Sequence, residues 1–78
     1  RFNMDAKLKF TVECGALIKG KFRNFLETQK FMQEKLTIFY KELPDFLTST
    51  FLVEVTGNQI MVEAWRIAIQ DMIEKWDK

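Results

Sequence analysis

Gly15-Ala-Leu-Ile-Lys-Gly20-Lys21 has the spacing of a phosphate-binding loop, and it follows an alternating apolar run. In such a loop backbone amides cradle phosphates, the lysine reaches the terminal ones, and a following Ser or Thr holds magnesium. Phe22 stands in that last position and the loop interior is apolar, so a plain glycine turn is the preferred reading. Cys14 would need a base or a positive field beside an exposed thiolate to act as a nucleophile. The chain has no histidine, and the alternation turns Cys14 toward the apolar side. Glu13 and Glu54 occupy matching places in two similar stretches and would make an acid–base pair if their strands were neighbours. Solvated glutamates on a sheet face are the simpler expectation. Ser49 is the only serine and has no triad partners. Without histidine a zinc site is not expected, and one cysteine cannot form an internal disulfide. These residues predict neither an enzyme nor a cofactor.

Five cations are spaced to share a surface. Leu8, Phe10, Val12 and Cys14 alternate with Lys7, Lys9, Thr11 and Glu13, the period of a half-buried strand. If Gly15-Ala16-Leu17 closes a hairpin, Cys14 faces Ile18, Val12 faces Gly20 and Phe10 faces Phe22, with the apolar side chains on one face. The other face then gathers Lys7, Lys9, Lys19, Lys21 and Arg23, candidate phosphate contacts for non-specific nucleic-acid binding. Sheets that bind single strands also carry stacking aromatics, and this register turns Phe10, Phe22 and Phe51 into the core. Lysines that guard a strand against edge association are the competing reading. A helix starting straight after Gly15 also fits Ile18, Phe22 and Phe25, although Gly20 would cost it about 1 kcal/mol.

The elements that position these residues follow from periodicity. Phe22, Phe25, Met32, Leu36, Phe39 and Leu43 fall on a three-four repeat broken at Gln29, and Phe31 and Ile38 widen the stripe. Asn24 with Glu27 resembles a capping box, and Pro44 disfavours helical geometry at Leu43. The spacing predicts a helix over 25–42, then a linker over 46–50. Phe51, Val53 and Val55 alternate with Leu52, Glu54 and Thr56. A Gly57-Asn58 turn, with glycine at positive φ, would set Val55 against Ile60, Val53 against Val62 and Phe51 against Ala64. The rival is Asn58 as N-cap of one long helix with Met61, Trp65, Ala68, Met72 and Trp76 on one side. On either reading 65–76 is helical, with Ala68, Ile69, Met72 and Ile73 turned inward.

The stretches beginning at Phe10-Thr-Val12-Glu13 and Phe51-Leu-Val53-Glu54 echo each other, a similarity that also arises by chance in a short chain rich in Phe, Val and Glu. Read as a repeat, the unit is hairpin plus helix used twice. The expected fold is an α+β two-layer sandwich, β-β-α-β-β-α, with a four-stranded antiparallel sheet and both helices on one face. If both hairpins are helix starts, the order becomes β-α-β-α and the sheet is completed by dimerisation.

Seventy-eight residues suit one small domain, assigned to 4–78; Arg1, Phe2 and Asn3 precede Met4 and read as a cloning remnant ahead of a natural start. A core this small contributes only a few kcal/mol, which leaves self-association as the open stabiliser. The net charge of +1 exerts no global pull on nucleic acid or membrane. No apolar run approaches the roughly 20 residues of a membrane span, and one thiol suits a reducing, cytoplasmic setting. The function expected is a small non-enzymatic protein–protein interaction module (adaptor, inhibitor or regulator), homodimeric, without membrane contact. Its partner-binding residues are Leu52, Glu54, Met61, Glu63 and Trp65, an acidic and apolar face complementary in sign to the basic one. The alternative is non-specific nucleic-acid binding through the basic hairpin.

Overall fold

The structure, a computed structural model, describes residues 5–76; Arg1 to Asn3 lie outside the described residues. The chain forms β1 (Asp5–Cys14), α1 (Lys19–Met32), β2 (Leu36–Pro44), β3 (Ser49–Asn58) and α2 (Gln59–Trp76). The strands make one antiparallel sheet in the order β1-β3-β2, and both helices pack on one face. The α+β class and the helices on one side therefore hold. Four strands in the order β-β-α-β-β-α do not, and neither does β-α-β-α: the order is β-α-β-β-α.

The first correction is at Gly15. Its carbonyl accepts the amides of Ile18 and Lys19 at 3.2 and 3.0 Å, and the turn runs into α1 rather than into a second strand. Lys19 and Lys21 are helical, with Arg23 one turn on. Packing decides this. A helix inserts Phe22 and Leu26, four residues apart, completely into the core, and burial of two such side chains outweighs the propensity cost of one glycine.

The second correction concerns the helix expected over 25–42. α1 stops at Met32, where the Gln33 amide donates to the Gln29 carbonyl, and Leu36–Pro44 is extended. Leu36, Ile38 and Tyr40 face the helices while Thr37, Phe39 and Lys41 face away. This run also reads with period two, and Thr, Ile, Phe and Tyr favour a pleated surface. Asn24 lies inside α1 and caps nothing; the helix start at Ile18 has no side-chain cap.

The third correction is at Gly57-Asn58. Asn58 Oδ1 accepts the amides of Ile60 and Met61 at 2.9 and 3.3 Å, so Asn58 caps α2 and residues 60–64 are coiled, not paired to β3. Among the described residues no glycine has positive φ. Gly57 is demanded by space instead: a Cβ there would lie 2.7 Å from Leu36 Cδ2 and 2.9 Å from the Lys35 carbonyl oxygen. The linker is correspondingly short, a turn closed by Asp45 N–H to the Thr48 carbonyl at 2.8 Å, and β3 begins at Ser49.

The core lies between the sheet and the helices. Phe51, Val53 and Val55 of β3 meet Phe22 and Leu26 of α1 and Val62 and Ile69 of α2. Phe22 stands edge-on to Phe51, with centroids 5.0 Å apart. Trp65 packs edge-on to Phe10, and its indole N–H donates to Gln29 Oε1 at 2.9 Å, which satisfies the polar end of a buried ring.

Two variants test these local causes. Asn58→Ala should lower unfolding free energy by about 1 kcal/mol through loss of the cap. Gly57→Ala should cost about 1–3 kcal/mol by overpacking against the neighbouring strand. Urea denaturation followed by circular dichroism measures both, and an unchanged midpoint for Gly57→Ala would remove the close-approach explanation.

Candidate functional site

With both helices on one side, the opposite face of the sheet is open. The strand registers lay its side chains out in rows. Lys7 stands beside Thr56 and Thr37; Lys9 beside Glu54 and Phe39; Thr11 beside Leu52 and Lys41; Glu13 beside Thr50 and Leu43. Phe39 is 61% exposed, Leu43 42% and Leu52 38%. Phe39 and Leu52 are diagonal neighbours across β2 and β3, within reach of each other. They line a shallow open trough of about 440 Å³ together with Lys9, Thr11, Lys41 and Glu54. Glu54 holds two cations there, with Lys7 Nζ at 3.5 Å and Lys9 Nζ at 3.9 Å.

The residues proposed for partner binding divide between two layers. Leu52 and Glu54 are on the outer sheet face. Met61, Glu63 and Trp65 are on α2, across the sheet from them. Trp65 is only 7% exposed and belongs to the core, Met61 packs against the core, and Glu63 pairs with Arg66 at 3.1 Å. The structure therefore brings Leu52 together with Glu54 but neither with the α2 residues, because the strand expected over 60–64 is helical.

The basic hairpin face is also corrected. Lys7 and Lys9 project from the outer sheet face, whereas Lys19, Lys21 and Arg23 belong to α1 in the other layer. Lys21 Nζ lies 4.4 Å from the centre of the Trp76 ring. Arg23 makes a two-pronged pair with Glu42, Nε to Oε1 at 2.6 Å and Nη2 to Oε2 at 2.8 Å, and Ser49 Oγ donates to Glu42 Oε2 at 2.7 Å. Glu13 and Glu54 are on adjacent strands but do not meet, since the antiparallel register sets Glu13 against Thr50 and Glu54 against Lys9. Gly20, Lys21 and Phe22 all lie within α1, with Phe22 fully buried, and Cys14 is buried in the core. Among the described residues no three His, Cys, Asp or Glu side chains gather as metal ligands, and no helix is long and apolar enough to cross a membrane.

The electrostatics are strongest between α1 and β2. Hydrogen bonds from Arg23 and then Ser49 hold the Glu42 carboxyl down to about 2, against an ordinary 4.5. Burial, followed by its hydrogen bond to Glu27, pushes the Tyr40 hydroxyl up to about 12. Both arrangements tie helix to sheet on the covered face and leave the open face free. Sequence reasoning missed Phe39 and Lys41 as surface-forming residues. Their signal was the alternation of Leu36 to Lys41, hidden beneath a helical spacing.

Comparisons with known proteins returned no match: no family model fits the chain, no curated protein matches it, and no solved structure matches it. Function is therefore argued from the surface alone.

The Glu42 pairing has a pH signature. Its carboxyl titrates lower in the folded chain than the ordinary 4.5, so its contribution is complete above about pH 4.5 and fades as pH falls toward 2. Replacing it in Glu42→Gln should make the acid-side loss of stability between those values shallower than in wild type. Denaturant melts across that range measure it, and an equal slope for both proteins would show that the pair contributes nothing.

Proposed function

We propose that this chain is a small non-enzymatic protein–protein interaction module, an adaptor, inhibitor or regulator working as a homodimer, that seats its partner on the open face of the sheet. The observation that supports this reading most is the placement of Phe39 beside Leu52 on an uncovered face, ringed by Lys9, Lys41 and Glu54. Exposed aromatic and aliphatic side chains within a charged rim are the composition of interface centres, where a few buried anchors carry most of the affinity. The charges alternate in sign around the anchors, which favours a mixed protein surface over a uniformly anionic one.

The double variant Phe39→Ser with Leu52→Glu tests the face. It should keep the wild-type melting curve, because both side chains project away from the core, and should reduce captured partner protein from source cells by about tenfold or more. Equal capture by a folded variant would remove the outer face as the docking surface.

A second reading has one observation of its own. Phe39 on an open sheet, with Lys41 along its own strand and Lys9 two strands away, is an arrangement on which a base can stack while its phosphates meet lysines. Glu54, which engages Lys7 and Lys9, weakens that case. Single-stranded oligonucleotide titrations followed by anisotropy decide it: stacking predicts salt-sensitive binding that falls about tenfold or more in Phe39→Ala. Absent binding, or binding indifferent to that change, would eliminate it.

A further inference from the structure

We propose that β1 is the self-association edge, pairing antiparallel with β1 of a second copy about a two-fold axis at Thr11 to build a six-stranded sheet. This rests on the reading of the chain as a homodimeric module and assigns the surface that makes the dimer.

The slot is set by the topology. In the order β1-β3-β2, the central strand is paired on both sides and β1 on one side only. The echo in the sequence has a structural counterpart: strand and helix recur as β1–α1 and β3–α2. Phe10 pairs with Val53 and Val12 with Phe51, so the two copies of the motif oppose each other about the Thr11–Leu52 pair. β3 has β2 beside it, and the equivalent place beside β1 holds no strand among the described residues. The fourth strand of a β-α-β-β-α-β sandwich lies in that place and runs antiparallel to β1. Antiparallel is also the direction that a two-fold axis gives a second β1.

Chemistry selects the register. Pairing β1 with itself about Thr11 sets Phe10 against Val12 of the second copy, the same match that β1 makes with β3. It also sets Lys9 against Glu13 of the second copy, twice by symmetry. The corresponding pair within the chain, Lys9 with Glu54, is already formed at 3.9 Å. Opposite charges directly across strands stabilise such a pairing, and like charges oppose it.

The edge is also shaped to receive a side chain. A cleft of about 240 Å³ runs along it, with Thr11, Val12 and Glu13 of β1 on one wall and Gln70, Ile73 and Glu74 of α2 on the other. In the Thr11 register, Phe10 of the second copy stands opposite Val12 and comes over this cleft, against Val12 and Ile73. On the outer face Glu13 meets Lys9 of the second copy. The far edge of the sheet is less suited. Pro44 lacks an amide to donate, and the Tyr40–Glu27 and Arg23–Glu42 contacts draw α1 along β2.

Sedimentation of the full chain at tens of micromolar should give about twice the 9.3 kDa chain mass. Glu13→Lys should raise the dimer dissociation constant by about tenfold or more, and Lys9→Glu combined with Glu13→Lys should restore it. Restoration by Lys7→Glu instead would place the axis at Phe10 and overturn the register. A dimer indifferent to Glu13→Lys would overturn the edge while leaving a dimer standing. A wild-type monomer up to about 100 µM would overturn both the edge and the homodimer reading. Amide exchange of the wild-type chain guards against a variant that fails to fold: β1 amides should slow as concentration rises, and exchange independent of concentration would equally sink the proposal.

Discussion

Phe51, Val53 and Val55 stand on one side of a strand that is hydrogen-bonded along both edges, and their burial is the condition the rest of the chain must meet. A strand paired on both sides leaves no backbone group for water, so its neighbours must be delivered in register. β1 and β2 are each antiparallel to β3 and therefore parallel to one another, with a gap of one strand between them. Parallel strands need a crossover that returns the chain to the starting end. α1 supplies it: 14 residues span about 21 Å as helix, most of the length of a strand. Phe22 and Leu26 are the price of that route, since the crossing helix must bury an apolar stripe over the strand it bridges. β3 then inserts between its neighbours, and α2 covers what remains of β1 and β3.

The two halves of the helical layer adhere by different means. α2 meets the sheet through Val62, Trp65 and Ile69, almost wholly apolar. α1 does so through Phe22 and Leu26 near the middle, but toward β2 the contact becomes polar, with Arg23 on Glu42 and Tyr40 on Glu27. A two-pronged guanidinium–carboxylate pair fixes distance and angle together, which an aliphatic contact does not. Ser49, the first residue of β3, donates to the same carboxylate, so that one network joins helix, edge strand and central strand. Strand alternation puts Glu42 on the covered face of the sheet, and these donors offset the cost of holding a carboxylate there.

What the sequence showed, and where it misled, follows from how periods overlap. β1 was legible because Lys, Thr and Glu alternate strictly with Leu, Phe, Val and Cys over its length. The start of α2 was legible as a rival reading, because Asn58 has no competitor as a cap before Asp71. The stretch from Leu36 to Leu43 was misread. Leu36, Phe39 and Leu43 keep a helical spacing with Phe22, Phe25 and Met32, yet in the fold Phe39, Leu43 and Met32 are exposed while Leu36 and Ile38 are buried. Over these eight residues a period of two selects Leu36, Ile38 and Tyr40, and the three-four spacing selects Leu36, Phe39 and Leu43, so apolar side chains satisfy both and composition must arbitrate. Thr37-Ile38-Phe39-Tyr40 favours extension. Of the candidate site, Leu52 and Glu54 were legible from their alternation with Val53 and Val55. Phe39 and Lys41 were not, because their orientation depends on the element that was misassigned.

The open face and the β1 edge are parts of a single surface. Lys9 and Thr11 border the trough that holds Phe39 and Leu52, and the same strand forms the free edge. Pairing at that edge would join two outer faces into one platform, with two Phe39 and two Leu52 presented in the same plane about the axis at Thr11. One trough of this size buries too little area to hold a macromolecule firmly. Two in fixed relation convert the second contact into an intramolecular one, and affinity then rises with no new residue. Lys9 would serve on both counts, meeting Glu54 within its own chain and Glu13 across the axis. On this proposal self-association and partner binding would be coupled through one side chain, and a change there would act on both at once.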